Sequence, residues 1–307
     1  MATLSGTVSK LSSGARGADT ATKLTATSAA KLKNAGCAFA IRYVSRSTPE
    51  PSGDLTNSEA INILNAGLAL MVVQHVRNSG WSPSASLGSS DGAACVTNCK
   101  SVGLLTGSSV WCDLEGVSTS ANAQSIIDYC NNWEKAVTNA GYKAGLYVGA
   151  NCGLTGHQLY LNLTFKYYWK SMSNVPSVEN TGYQMVQSAT KEISWTENGK
   201  TVTLEYDPDT VQTDGHGNTP YALVPGNASF TCDTHSTVTI QRGKKYTARI
   251  TCSQYPKVIA GTGGIVSISM ASQSGNDYYF AFTGTQAGST GIYINNSSSA
   301  VFVCKVV

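Results

Sequence analysis

Two acidic residues separated by one leucine end an apolar stretch of the sequence. The stretch begins at Ser109, and its acids are Asp113 and Glu115. Because side chains alternate between the two faces of a β-strand, a strand here would place both carboxyl groups on one face. Burial and mutual repulsion would raise the pKa of at least one carboxyl, so that one group can donate a proton while another stays ionised. The alternative is a pair of solvated acids at a strand end, or a cap for the next helix.

A repeated tripeptide indicates the elements that position these acids. Asn-Ala-Gly occurs at residues 34–36, 65–67 and 139–141, and Ser-Val-Gly stands at 101–103 in place of a fourth copy. Each copy follows a helical pattern and precedes a nearly continuous apolar run, as expected where glycine ends a helix and a strand covered on both faces follows. We therefore predict an α/β fold, a (β/α)8 TIM-like barrel with irregular late strands. A doubly wound parallel sheet is the alternative.

The predicted barrel occupies residues 1–225 and contains eight strands. Asn198-Gly199 indicates a hairpin turn, and the second arm leads into the acidic segment Asp207-Pro208-Asp209 as the eighth strand. Residues 77–90 are rich in Ser, Gly and Pro and are expected to form a long loop that faces substrate. The first seven strands are predicted at residues 15–19, 39–45, 68–76, 110–114, 143–151, 167–173 and 183–188.

Acidic residues end three of the predicted strands, and the ends of parallel barrel strands meet at one mouth. Asp19 ends the first strand, and Asp113 with Glu115 ends the fourth. The eighth ends at Asp207 or Asp209. Cleavage of a glycosidic bond needs a protonated carboxyl beside the leaving oxygen and an anionic group near the developing oxocarbenium centre. We predict Glu115 as the acid, with Asp113 or Asp19 as the anion, the nucleophile or an orienting group.

Five further residues near the predicted strand ends are candidates for binding sugar. An aromatic ring can stack on a sugar ring, and a glutamine amide can exchange hydrogen bonds with hydroxyl groups. For each of the five, packing inside the fold is an equal alternative. They are Tyr43, Gln74, Tyr147, Trp169 and Gln187.

The sequence pattern changes after residue 225. Helical periodicity ends, and short β-rich runs separated by turns recur through residues 226–307. This spacing predicts a small antiparallel β-sandwich as a second domain. We expect this domain to be a wall-binding, carbohydrate-binding or interaction module.

Composition restricts the class of protein. Charged residues make up 13% of the 307 residues, and the net charge is +3. The usual charged share is about 25%, and so low a share is typical of secreted or wall-facing proteins. Nine cysteines indicate an oxidising compartment, with several disulfides and at least one thiol left over. We therefore expect an extracellular, cell-wall or periplasmic location, although the first ten residues lack the apolar segment of a signal peptide.

Other classes of site have little support in the sequence. It contains no Cys-x-x-Cys pair, no Walker motif and no dense basic patch interleaved with aromatic residues. We predict no metal, no cofactor and no nucleic-acid partner. No apolar run reaches the ~18 residues of a membrane span, so no membrane span is predicted either. His75 and His216 are isolated and receive no role, and we expect a monomer.

Several motifs together resemble a known family. The sequence is similar to the Rv2525c-like (DUF1906) glycoside-hydrolase-like domain, which is related to the family 25 lysozymes, muramidases built on an irregular barrel. The resemblance covers roughly residues 14–210 and excludes the C-terminal module. The motifs that carry it are GADTAT at residues 17–22, IRYVSR at 41–46, Asp113-Leu-Glu115, and GYK at 141–143 with GLY at 145–147.

The resemblance implies roles for the acids and a substrate class. Glu115 matches the general acid, Asp113 its partner on the same strand, and Asp19 the acid of strand one. The strand-eight acid falls on Asp207 or Asp209. The implied activity is hydrolysis of O-glycosyl bonds in a peptidoglycan-like or amino-sugar glycan. Two alternatives stay open: a non-catalytic carbohydrate- or wall-binding protein that retains the barrel groove, and a surface protein in which the C-terminal module is the working part.

Overall fold

The computed structural model describes residues 3–47, 53–226, 230–252, 256–295 and 297–307. The chain divides into two compact units, Met1–Pro225 and Gly226–Val307. The first unit contains the barrel and every acid discussed above. Its strands are β1 (Gly6–Lys10), β2 (Arg16–Asp19), β3 (Phe39–Val44), β4 (Ala69–Gln74), β5 (Ser109–Leu114), β6 (Lys143–Val148), β7 (Tyr167–Lys170), β8 (Met185–Gln187), β9 (Lys191–Glu197), β10 (Lys200–Val211) and β11 (Tyr221–Pro225).

Eight of these strands close into a barrel. Strands β2 to β8 run parallel to one another in chain order, and β10 completes the circle by pairing with β8 on one side and β2 on the other. Strands β1 and β11 form an antiparallel ribbon that joins β4 where Leu223 pairs with Leu70 near the start of that strand. The ribbon therefore lies at the end of the barrel opposite the mouth.

The eighth barrel strand runs antiparallel to both neighbours, so a regular (β/α)8 arrangement is not what the chain forms. Asp207 pairs with Asp19, and Asp209 pairs with Gln187 and Gly17, in antiparallel register. Only three residues separate β8 from β9, and the β9–β10 hairpin that follows reverses the chain. A short hairpin connection produces antiparallel neighbours, whereas a parallel strand needs a longer crossover. Strand β10 consequently enters the barrel from the mouth, and its acids lie where its pairing with β2 and β8 begins.

Five helices pack outside the barrel strands in the described part of this unit. In each of them the N-cap side chain accepts a hydrogen bond from a backbone N–H group of the first turn, which satisfies one otherwise unpaired donor. The residues between β7 and β8 contain no helix. The helices are α1 (Ala26–Asn34), α2 (Asn57–Asn65), α3 (Ala85–Val102), α4 (Ala123–Asn139) and α5 (Gly156–Leu161).

The loop predicted at residues 77–90 is shorter than expected. Ser84 accepts a hydrogen bond from the N–H group of Leu87 and caps α3, which begins at Ala85. The first turns of α3 are rich in Ser and Gly, so they lack the apolar spacing that would reveal a helix. The loop is therefore limited to the residues before Ser84.

Alternation along the barrel strands separates two apolar layers, as the sequence predicts for β5. Trp111 belongs to the cluster inside the barrel, whereas Cys112 and Leu114 belong to the cluster between the strands and the helices. Trp111 lies edge-to-face against Trp169, with ring centroids 5.8 Å apart. Asp113 follows on the same face as Trp111, so its carboxyl group points toward the barrel interior.

Two glycines let helices α3 and α4 pack closely, and we predict that Gly88→Ala lowers stability. A Cβ atom on Gly88 would collide with the carbonyl oxygen of Tyr129, and one on Gly92 would lie 2.8 Å from the Cβ of Ala136. Overpacking of this kind costs about 1–3 kcal/mol, which exceeds the gain of ~1 kcal/mol from replacing a helical glycine. Urea unfolding of Gly88→Ala, with the exposed Ser90→Ala as control, measures the difference. Equal stability of both variants would contradict the close packing.

The second unit consists of two four-stranded sheets that share one apolar core. One sheet has the order β12-β14-β17-β16 and the other β13-β19-β18-β15, with β13 and β19 parallel. Side chains of both sheets, such as Phe282 and Phe302, meet in the same cluster. The strands are β12 (Phe230–Cys232), β13 (Val238–Ile240), β14 (Lys245–Cys252), β15 (Val258–Ala260), β16 (Val266–Ser274), β17 (Asp277–Gly284), β18 (Gly288–Ile294) and β19 (Phe302–Val306).

The predicted disulfides are not formed. The structure describes all nine cysteines, and each is a buried free thiol. Cys95, Cys99 and Cys112, for example, pack as small apolar residues between the strands and the helices. Among the described residues, no helix combines the length and apolar character needed to cross a membrane.

Candidate active site

The barrel mouth brings together acids from three separate parts of the chain. Asp19 comes from β2, Asp113 and Glu115 from β5 and the residue after it, and Asp207 and Asp209 from β10. The charges of Asp19 and Glu115 both raise the pKa of Asp113, so the three carboxyl groups act on one another across the mouth. In the described part of the chain, no Lys, Arg or His nitrogen lies within 4.0 Å of any of these five carboxyl groups. The cluster therefore has to share protons or stay partly neutral.

Asp19 is a buried acid that accepts two side-chain hydrogen bonds. Its Oδ2 accepts from Nε2 of Gln187 at 2.9 Å, and its Oδ1 accepts from the hydroxyl of Tyr43 at 3.3 Å. Burial raises the pKa of Asp19 from 3.8 to about 7, with a smaller contribution from the negative charge of Asp207. The two donors oppose this rise because they favour the ionised form. Asp19 is consequently the buried acid best prepared to carry a negative charge near neutral pH.

Asp113 and Glu115 differ in their surroundings although one residue separates them. The side chain of Asp113 is buried, and its Oδ1 has no hydrogen-bond partner among the described residues. Burial is the largest cause that raises its pKa, followed by the charges of Glu115 and Asp19. Glu115 is half-buried beside Gly149 and Tyr147, and burial raises its pKa as well. Glu115 is thus a carboxyl group whose burial favours the protonated form and which is still reachable from solvent.

The two acids of β10 lie at different depths. Asp207 lies near the cleft, where it accepts hydrogen bonds from Gln187 and Thr190. Asp209 is 1% exposed, and its Oδ1 accepts from Nε1 of Trp169 at 2.8 Å. Burial, followed by the charge of Asp19, raises the pKa of Asp209. Asp207 is therefore the β10 acid that a ligand in the mouth can contact, and Asp209 lies beneath it in the barrel interior.

Tyr43, Tyr147 and Gln187, three of the residues near predicted strand ends, lie among the acids. The hydroxyl of Tyr147 donates to Oε1 of Gln187 at 2.9 Å, and Nε2 of the same amide donates to Asp19. Burial and the nearby carboxylates raise the pKa of both tyrosines, so their hydroxyls remain donors. Gln187 thereby links the two sides of the mouth through one amide group.

Gln74 and Trp169 do not occupy the ligand-contacting positions expected of them. Gln74 points to the helix layer, where its amide donates to the carbonyl oxygens of Ser45 and Asp91 and accepts from Nε1 of Trp133. Trp169 is 1% exposed inside the barrel, so its ring cannot stack on a sugar. The alternation of strand side chains explains the correction for Gln74, since proximity to a strand end does not determine which face a residue occupies. Trp169 lies on the interior face but is buried too deeply to reach a ligand.

Several site residues were missed by the sequence analysis. An open cleft of about 330 Å³ lies between β2 and β10 and is lined in part by Thr20, Thr22 and Tyr206. His75 stacks on Tyr43 with ring centroids 4.6 Å apart, so it is not isolated as the sequence suggested. Trp81 donates from Nε1 to the carbonyl oxygen of Glu115 at 2.8 Å and fixes the backbone there. The position of Trp81 in a loop after a barrel strand was the signal that could have marked it as a residue near the mouth.

The family of the chain follows from a comparison with family models. The model described as "Rv2525c-like, glycoside hydrolase-like domain" matches residues 30–215, more than half of the chain. The chain belongs to this family. The resemblance seen in the sequence motifs is thereby confirmed. No curated protein matches the chain.

Three solved structures illustrate the similarity of this family member to known proteins. A family 25 glycosyl hydrolase from Bacillus anthracis has 11% identity and a TM-score of 0.45, with 65% of this chain and 89% of that chain covered. The spore cortex lytic enzyme SleM from Clostridium perfringens has 9% identity and a TM-score of 0.44, with 92% of each chain covered. An uncharacterized B. stearothermophilus protein has 13% identity and a TM-score of 0.44, with coverage of 64% and 96%.

The raised pKa of Asp19 predicts that stability decreases as the pH rises. Between about pH 4 and pH 7 the folded chain keeps a proton on Asp19 that the unfolded chain loses, so the free energy of unfolding falls across this interval. The loss attributable to Asp19 is on the order of 4 kcal/mol, and Asp113 and Asp209 act in the same direction. Urea unfolding across this interval should show a smaller loss for Asp19→Asn than for wild type. Asp128→Asn on α4 is the control, and parallel profiles for all three proteins would contradict the raised pKa.

Proposed function

We propose that this chain hydrolyses glycosidic bonds in a peptidoglycan-like or amino-sugar glycan bound across the barrel mouth. The observation that carries the proposal is the group of Asp19, Asp113 and Glu115 at one mouth without a cation within ion-pair distance among the described residues. Membership of a glycoside hydrolase-like family supports the same reaction class. The reaction places the substrate outside the cytoplasm, in the cell wall, the periplasm or the medium.

Glu115 is assigned as the general acid. Burial raises its pKa, and it remains half-exposed, so it can reach the leaving oxygen of a bound sugar while still protonated. The proton moves from the Glu115 carboxyl to the glycosidic oxygen as the bond to the anomeric carbon breaks. Water supplies the hydroxyl group of the new reducing end, and a proton of that water returns to the site.

Asp19 and Asp113 are assigned different tasks on the basis of their hydrogen bonds. Tyr43 and Gln187 donate to Asp19, so its ionised form can stabilise the positive charge that develops at the anomeric carbon. Asp113 has a buried oxygen without a donor and a raised pKa, which favours the protonated form. A protonated Asp113 can donate to the acetamido carbonyl of an amino sugar and orient the ring.

The remaining mouth residues are assigned to sugar binding. Asp207 and Tyr147 present a carboxylate and a hydroxyl group to the same space. We assign the C-terminal unit to attachment of the chain to wall or other carbohydrate, and the whole protein is proposed to act as a monomer.

The proposal is tested by incubating the protein with purified bacterial peptidoglycan and, separately, with chitin oligosaccharides. Hydrolysis produces new reducing ends, which are quantified over time, and mass spectrometry of the soluble fragments identifies the cleaved bond. We expect new reducing ends from at least one of these amino-sugar substrates. If neither is cleaved although both bind with the mouth acids intact, the chain is a carbohydrate-binding protein that retains the groove.

A further inference from the structure

We infer that the end of the barrel opposite the mouth carries a second binding site, which takes an anionic polysaccharide. The site consists of a strip of lysines and tyrosines on β1, β6, β7 and β11 that continues into an open cavity. It lies at the strand beginnings, whereas the acids lie at the other end of the barrel. The inference goes beyond the hydrolysis proposed above and does not depend on it.

Two ammonium groups flank one aromatic ring in this strip. The Nζ atoms of Lys10 and Lys143 each lie 5.6 Å from the ring centroid of Tyr221. Lys10 is the antiparallel partner of Tyr221, and Lys143 pairs with Ser109, whose hydroxyl oxygen accepts from the N–H group of Tyr221. Strand pairing therefore fixes both lysines beside the ring. Contacts of a cation with a ring face are favourable, and they bring two like charges together here.

These lysines have no carboxylate partner within ion-pair distance in the described part of the chain. The same holds for Lys166, which lies directly before β7. Asp214, in the loop that precedes β11, is buried, and its oxygens accept from Gln184 and from the N–H groups of His216 and Asn218. The carboxylate oxygens of Asp214 are thus already hydrogen-bonded to other groups. Three exposed positive charges at this end are left for an external anion.

Helix-dipole stabilisation does not explain these three positions. Lysines in the last turn of a helix interact favourably with its dipole, which accounts for Lys33 in α1 and Lys100 in α3. Lys10, Lys143 and Lys166 belong to a strand, to a strand start and to the segment before a strand. A helix dipole therefore does not account for their charges, and what sets these three lysines apart is their position beside the tyrosines and the cavity.

An aromatic cavity continues the strip. Tyr167 lies edge-to-face against Tyr221, with ring centroids 6.2 Å apart, and also lines a cavity of about 380 Å³. Lys166, Tyr160, His216 and Asn218 line the same cavity. Partly exposed tyrosine rings suit the apolar faces of sugars, and the amide and imidazole groups suit their hydroxyls. Sugar rings and negative charge are together the properties of an anionic polysaccharide.

The test uses polygalacturonate, in which every sugar carries a carboxylate, and its methyl-esterified form, in which the charge is removed. Binding is measured by titration calorimetry with the Glu115→Gln variant, so that the mouth cannot cleave a ligand. In this background the triple replacement Lys10→Gln, Lys143→Gln and Lys166→Gln removes the positive charges of the strip. We expect about tenfold weaker binding of polygalacturonate, together with a weaker dependence of the affinity on salt concentration.

A matched control removes the same charge elsewhere on the barrel unit. Lys135→Gln, Lys191→Gln and Lys200→Gln replace three exposed lysines on α4 and the β9–β10 hairpin, and binding should be unchanged. Three results would each overturn the inference. The two triple variants could bind polygalacturonate with equal affinity, or the Glu115→Gln protein could bind the esterified polymer as tightly as polygalacturonate. The third is that the Glu115→Gln protein with all its lysines does not bind polygalacturonate. Poly(glycerol phosphate), which has charge but no sugar rings, should bind more weakly than polygalacturonate. Equal binding of the two would show that charge alone is recognised and would overturn the assignment to polysaccharide.

Discussion

Replacing Glu115 by Gln is expected to lower kcat for glycan cleavage about a thousandfold while the affinity for an oligosaccharide changes little. The amide has the shape of the acid but cannot donate the proton that the leaving oxygen needs, and general acid catalysis contributes about 10²–10⁴-fold. Glu115 has no ion pair in the described structure, so the substitution leaves no charge unpaired. Reducing-end assays give kcat, and calorimetry with a chitin oligosaccharide gives the affinity.

The control for this variant is Glu134→Gln on helix α4. Glu134 accepts hydrogen bonds from Thr138 and Thr164 on the outside of the barrel, and an amide oxygen can accept in the same way. Its cleavage rate should equal that of wild type. A Glu115→Gln variant that retains wild-type kcat would remove Glu115 from the reaction.

The second large effect is expected at a buried ion pair between strand β3 and helix α2. Nε of Arg42 donates to Oε1 of Glu59 at 2.6 Å, and both side chains are fully buried. The same guanidinium donates to the carbonyl oxygens of Thr20 and Gly53, and Oε1 of Glu59 also accepts from the N–H group of Leu24. This network holds the loop that follows Asp19. Arg42→Met should lower the free energy of unfolding by about 3–5 kcal/mol, because it leaves the Glu59 carboxylate buried without its counter-charge.

A double variant distinguishes loss of the pair from loss of packing. Arg42→Met with Glu59→Leu removes both charges and should recover part of the stability lost in Arg42→Met alone, since an apolar replacement of a buried pair is often nearly neutral. Urea unfolding of both variants gives the comparison. No recovery in the double variant would mean that the cost arises from the hydrogen bonds to Thr20 and Gly53, and not from the unpaired carboxylate.

The early barrel was predictable from local signals that act within one element. The glycines at 36, 67 and 141 all have positive φ angles and follow α1, α2 and α4, as the repeated tripeptide indicated. The nearly continuous apolar runs after them became β3, β4 and β6 because both faces are covered. The position of β10 as the eighth barrel strand was predicted, but its direction was not. The strand runs antiparallel to its neighbours because a short connection, and not a helix, follows β8.

The part of the candidate site that lies at strand ends was predictable from the sequence. Asp19, Asp113 and Glu115 could be placed at one mouth from the barrel topology alone. Gln74 could not be placed on the correct face, because its orientation depends on which strand residues face the barrel interior. Trp169 does face the interior, but its depth below the mouth depends on how the barrel packs. The role of Gln187 as a link between Tyr147 and Asp19 required coordinates, since those three residues are far apart in the sequence.

The most direct test of the central claim is a crystal structure of the Glu115→Gln variant with a chitin oligosaccharide. We expect the sugar to cross the barrel mouth, with one glycosidic oxygen within about 3 Å of the side chain at position 115. The adjoining acetamido group should lie beside Asp113. An oligosaccharide bound only away from the mouth, or one that crosses it without a glycosidic oxygen near position 115, would contradict the proposed role of Glu115.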